Sequence, residues 1–122
     1  MRTPRPILLA AAVFGACACN GGDNPSFDEA SHQFYEAYCA RLLKCHQELR
    51  GEDQGTQDFL RSYPGGEEDC VEQNFDEFSS LRSLESSCSQ ERWNECAESL
   101  KTTTCVSTPY VGPVVPASCD GC

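Results

Sequence analysis

Cys17, Cys19, Cys39, Cys45, Cys70, Cys88, Cys96, Cys105, Cys119 and Cys122 constrain this chain more than any other feature. Ten cysteines in 122 residues is the density at which a short exported chain reads as a disulfide scaffold, because a reducing cytosol would leave that many thiols free. Zinc is the competing use, and it asks for close thiolate and imidazole pairs. Only Cys119 and Cys122 stand at C-x2-C spacing, and the two histidines, His32 and His46, do not pair with each other. The expected chemistry is therefore disulfide formation, with no metal and no other cofactor.

Helix geometry narrows the pairing. Cys39 and Cys45 are separated by roughly 9 Å of rise and about 120° of rotation if they share a helix. Bridged Cα atoms lie within about 7 Å, so these two must reach separate partners among Cys70, Cys88, Cys96 and Cys105. The same reasoning keeps Cys88 from Cys96 if both are helical. Eight cysteines allow 105 connectivities before any exclusion, and the spacing does not choose among those that remain.

Cys17 and Cys19 belong to a different context. Arg2 and Arg5 precede the uncharged run Ile7 to Ala16, which is too short to span a bilayer but suits the centre of a signal peptide. Small residues then stand directly before each cysteine, in Ala16-Cys17-Ala18-Cys19. This resembles a bacterial lipobox, whose cysteine is acylated, although neither candidate has a leucine three residues upstream. Parity favours Cys19 over Cys17 as the acceptor, since it leaves eight cysteines that can all pair. Cleavage after Ala18 without acylation leaves an odd number. No aspartate follows either cysteine, which points to the outer membrane or cell surface rather than retention at the inner membrane.

The expected organisation is a signal peptide over 1–18, a polar tether over 19–25 and one cysteine-rich helical domain over 26–122. A chain of this length has room for a single core. Ser26, three residues before Glu29, forms a capping-box signature. Phe27, Ala30, Phe34, Tyr38, Leu42, Cys45 and Leu49 then recur at helical steps up to Arg50, where Gly51 stops the helix. Glu52 to Asp58 reads as a loop leading into a short helical piece at Phe59 to Tyr63. Glu67 to Asp69 place negative charge at the start of another helix, striped by Val71, Phe75, Phe78 and Leu81. Ser89 caps the last helix, with Trp93, Cys96, Ala97 and Leu100 on its inner face. From Cys105 onward the prolines forbid a regular helix, and the tail reads as an extended strap. The fold class expected is all-α, a disulfide-stapled bundle of three to four helices, with no transmembrane helix.

The residues Tyr38-Cys39-Ala40-Arg41-Leu42 with Cys45, Cys70-Val71, Cys96 with Leu100 and Cys105, and the terminal cysteines form a spacing pattern over most of residues 34 to 122. It resembles that of a loose group of cysteine-rich lipoproteins common in myxobacteria. The resemblance implies export and a helical build, and it brings no activity or site. Plant lipid-transfer proteins also staple helices with eight cysteines, but their adjacent Cys-Cys and Cys-x-Cys elements are absent after residue 19.

Charge limits the partners. Without Arg2 and Arg5, seven basic residues face nineteen acidic ones, a net charge of −12. Such a surface repels phosphate backbones, which excludes nucleic acid, and it offers no basic stripe to anionic lipid. Membrane attachment is expected through the N-terminal lipid, and any protein partner should be basic or neutral.

Candidate chemistry is sparse. Cys119 and Cys122 could exchange electrons, but no helix follows to lower a thiolate pKa. His46 adjoins Cys45, yet neighbours on a helix point about 100° apart, so His46 reads as a solvated surface residue. The acidic residues at 67 to 69, 72, 76 and 77 lack a calcium-wrapping loop and read as a charged helix face. Tyr35, Tyr38, Phe59 and Trp93 could form a recognition patch but read more simply as core. The expected function is a non-enzymatic envelope lipoprotein acting as a binding or structural module. The alternatives are a thiol-disulfide oxidoreductase using the terminal C-x2-C and a small carrier of lipid or another apolar ligand.

Overall fold

A computed structural model describes residues 24–76 and 85–122. Phe78 and Leu81 lie outside the described residues, as do Cys17, Cys19 and the expected signal peptide over 1–18.

Helix α1 (Phe27–Arg50) runs 24 residues, about 36 Å at 1.5 Å per residue, and every other element packs on it or on its neighbours. Its start is set chemically, with the Ser26 hydroxyl accepting the Glu29 amide at 3.2 Å. Its end is set by Gly51, whose φ of 88° is open to glycine and strained for other residues. The Gly51 amide donates to the Gln47 carbonyl at 2.8 Å as it leaves the helix. Ala30, Cys39, Leu42 and Cys45 are buried along α1, and Phe34 and Tyr38 are half-buried. Leu49, the last residue of the expected stripe, is instead 43% exposed.

Helix α2 (Glu52–Ser62) includes the short helical piece expected from Phe59 and extends it back over Glu52 to Asp58, the stretch expected to be a loop. The misreading turns on Gly55, which serves as a contact surface rather than a helix breaker. A Cβ there would drive into the His46 carbonyl and the Gln47 amide of α1, so only glycine lets the two helix backbones meet this closely. Thr56 supports the contact by accepting from the Gln47 side chain at 3.0 Å, and Phe59 points into the core at 1% exposure.

Helix α3 (Glu67–Asp76) opens with three acidic residues, and helix α4 (Gln90–Leu100) is capped by the Ser89 hydroxyl. Trp93, Cys96, Ala97 and Leu100 of α4 are all buried, as their spacing requires. The strap departs from a plain extended tail. Strand β1 (Cys105–Val106) pairs antiparallel with β2 (Gly112–Pro113), Cys105 opposite Pro113 and Val106 opposite Gly112. A 3-10 turn (Ala117–Cys119) follows. The bundle is thus helical with one small hairpin, and all-α holds only approximately.

Two apolar clusters flank α1. Ala30, Trp93, Leu100 and the cysteines 88, 96 and 119 form one. Leu42, Phe59, Val71 and the cysteines 39 and 70 form the other. Tyr38 packs against both and joins them into one interior. Four disulfides close the frame: Cys39–Cys70 ties α1 to α3, Cys45–Cys105 ties α1 to β1, Cys96–Cys119 ties α4 to the 3-10 turn, and Cys88–Cys122 holds the last residue. Their sequence separations of 31, 60, 23 and 34 correspond to about 3 to 4 kcal/mol each from restricting the unfolded chain.

Candidate functional site

The eight cysteines from Cys39 onward are all consumed in these bridges, so the described residues contain no free thiol. Cys39 and Cys45 take separate partners, as helix geometry demands. Cys119 and Cys122 do not bond to each other: Cys119 joins Cys96 and Cys122 joins Cys88. The C-x2-C is therefore two anchor points for the end of the strap, fastened to α4 and to the segment before it.

Cys45 is fully buried and bonded to Cys105, so it forms no nucleophilic pair with His46. His46 itself is a correction, since it is half-buried between α1 and α2 rather than solvated. Its ring lies 6.1 Å from that of Phe59, and its Nδ1 is buried with no hydrogen-bond partner. Burial holds its pKa below the ordinary 6.5, opposed by the Asp58 carboxylate and reinforced by Arg50.

The acidic face of α3 does what a charged helix face does. Glu67, Glu68 and Glu72 border a hollow of about 480 Å³ shared with His32 and Glu36 of α1. His32 Nδ1 lies 3.2 Å from the Glu36 carboxylate. Among the described residues no three His, Cys, Asp or Glu side chains converge closely enough to hold a metal ion. The residue at 77 lies outside the described residues.

The arrangement that sequence reasoning missed centres on Arg41. This guanidinium is 9% exposed. It donates to the Thr103 carbonyl from Nε at 2.9 Å and Nη2 at 2.6 Å, and to Glu48 from Nη1 at 3.0 Å. It thereby caps one end of an open groove of about 530 Å³ between α1 and α4, floored by Ala37, Ala40 and Ala97. Both lysines of the chain, Lys44 and Lys101, line it. Gln33, Gln90 and Asn94 bridge the helices at its other end. The one signal in the sequence was an arginine four residues before a buried cysteine on the inner face of α1.

The aromatic residues sort as core. Phe59 and Trp93 are buried, and Tyr35 and Tyr38 are half-buried. Burial raises the Tyr38 pKa, with a further push from Tyr63. Trp93 also orders the start of the domain. Its Nε1 donates to the Ser86 hydroxyl at 3.0 Å, which in turn donates to the Pro25 carbonyl at 2.7 Å. The Ser86 amide donates to the same carbonyl, and the Asn24 side chain donates to the Ser86 carbonyl. Asn24 and Pro25, directly before the helix cap, are thus tied to Ser86 and Trp93. Beside this junction Phe34, Trp93, Val115 and the cysteines 119 and 122 line an apolar hollow of about 220 Å³, smaller than the ~300 to 1,000 Å³ of ordinary ligand pockets.

No protein-family model, curated protein or solved structure matches this chain.

Proposed function

We propose that this is a lipid-anchored, non-enzymatic module of the bacterial envelope, acylated at Cys19, with Cys17 as the alternative acceptor, and displayed at the outer membrane or cell surface. The supporting observation is the complete pairing of all eight cysteines that follow residue 24. Four bridges belong to an oxidising, exported environment, and complete pairing within the domain leaves Cys19, or Cys17 as the alternative, for acylation. The non-enzymatic reading is supported by the separation of Cys119 from Cys122 into two fastening bridges. A redox enzyme needs the two to exchange with each other. The apolar-carrier reading gains little from a 220 Å³ hollow.

The acid-rich helices favour a basic or neutral protein partner. Metabolic labelling with a fatty acid in the native host tests the anchor. The label should enter the wild type and Cys17→Ser, and be lost in Cys19→Ser. Label surviving both substitutions, or absent throughout, rejects it. Thiol titration of the native protein tests the non-enzymatic reading, and a reactive pair at Cys119 and Cys122 would reinstate the redox enzyme.

A further inference from the structure

The strap differs in charge from every helix. Thr102 to Cys119 contains no charged residue, in a chain that is 23% charged. Each helix, by contrast, exposes carboxylates, among them Glu36 on α1, Glu52 on α2, Glu68 on α3 and Glu95 on α4. Among the described residues six large apolar side chains are exposed, and four of them lie on this neutral stretch. They are Val106 at 40%, Tyr110 at 83%, Val114 at 43% and Val115 at 49%. Val106 and Val114 each follow one residue after Cys105 and Pro113, which oppose each other across the hairpin. Side chains alternate along a strand, so both valines point away from the side on which Cys105 is bonded to α1.

We propose that this neutral strap face is the surface the protein lays against the lipid bilayer, an inference that rests on the anchor reading above. Asn24, the first described residue, is held by hydrogen bonds to Glu85 and Ser86. Cys19 precedes it by five residues, which span at most about 18 Å at ~3.6 Å per residue. A domain built on a helix about 36 Å long and held that close must turn one face to the headgroups. Any helix face would press carboxylates against lipid phosphates, with like-charge repulsion and desolvation to overcome. From Thr102 to Cys119 the exposed residues of the strap are valine, proline, threonine, serine, tyrosine and alanine. Tyr110 has the apolar ring and polar tip that suit a membrane interface. Val115, the residue after Val114, lines the hollow with Trp93 next to the junction at Asn24 and Pro25, so the strap passes close to the tether. Lacking Lys and Arg, it needs no anionic lipid, and a zwitterionic surface is its occupant.

The test uses the full protein, purified from its host and reconstituted in phosphatidylcholine vesicles with and without brominated acyl chains. Tyr110→Trp and Leu60→Trp are compared with the wild type, whose single tryptophan, Trp93, is buried. The emission added by Tyr110→Trp should shift to the blue and be largely lost in brominated vesicles, while that added by Leu60→Trp on α2 survives. If the protein carries its acyl mass and floats with the vesicles, yet both variants keep their emission, this face does not meet lipid and the anchor reading stands. If no acyl group is present but Tyr110→Trp is still quenched in the vesicle mixture, only the anchor reading falls. Absence of both the acyl group and vesicle association overturns the two together. An unquenched Tyr110→Trp protein that sediments as a dimer, made monomeric by Tyr110→Asp, assigns the face to a second copy and overturns the proposal.

Discussion

Arg41 holds the Thr103 carbonyl with two nitrogens of one guanidinium, at 2.9 and 2.6 Å, and so fixes the middle of the longest helix to the residue where α4 gives way to the strap. The contact matters because it is part-buried on both sides. Replacing Arg41 with methionine leaves the carbonyl without its donors, whereas Glu48, more than half exposed, returns to water. The expected loss is about 1 to 3 kcal/mol. Arg41→Lys should recover little of it, because an ammonium lacks the planar fork. Denaturation midpoints at unchanged m-value measure both effects.

Gly55→Ala separates two opposed effects. Alanine favours a helix over glycine by about 1 kcal/mol, but the added methyl meets the backbone of His46 and Gln47, which cannot rotate away. Overpacking of this kind costs about 1 to 3 kcal/mol, and forcing backbone rather than side chain to move places it at the upper end. Net destabilisation is expected from thermal or chemical unfolding. A stabilised variant would mean that α2 does not sit this close to α1.

The start and end of α1, the inner face of α4 and the impossibility of a Cys39–Cys45 bridge were legible because each follows from local chemistry: a serine cap, a stopping glycine, the 3.6-residue period. The first half of α2 was not, because Gly55 signals a loop in sequence and acts as a contact in space. The hairpin was not, since strands of two residues carry no periodicity and its partners are set by the Cys45–Cys105 bridge. Nor was the role of Arg41 legible, because Thr103 lies sixty-two residues away. The structural reading of the C-x2-C was legible, but not that Cys119 fastens to Cys96 and Cys122 to Cys88. Only the three-dimensional path of the strap decides that.

His46 sets a pH dependence with a definite sign. Its folded pKa is lowered from 6.5, chiefly by burial, so the unfolded chain takes up the proton first as pH falls. The stability that the neutral imidazole permits is fully present above 6.5 and is lost as pH drops through 6.5 toward the lowered folded value. Over that window the unfolding midpoint of the wild type should fall more steeply than that of His46→Gln. Equal slopes would place the imidazole in solvent.

Reduction should proceed in an order set by exposure. Cys39 and Cys70 are both fully buried, whereas Cys105 and Cys122 are half-buried. Attack by a thiolate needs access to a sulfur. Graded reductant followed by differential alkylation should open Cys45–Cys105 and Cys88–Cys122 before Cys39–Cys70. Cys39→Ala with Cys70→Ala should cost about 3 to 4 kcal/mol and release the protection of α3 amides in hydrogen exchange, leaving α4 protected.

The claim that the cysteines form a fixed frame rather than a redox centre is tested most directly by peptide mapping of the unreduced protein from its own host. The account predicts four cross-linked pairs, Cys39 with Cys70, Cys45 with Cys105, Cys88 with Cys122 and Cys96 with Cys119, and no alkylatable thiol among them. A peptide in which Cys119 and Cys122 are joined to each other, or recovered as free thiols, would contradict it.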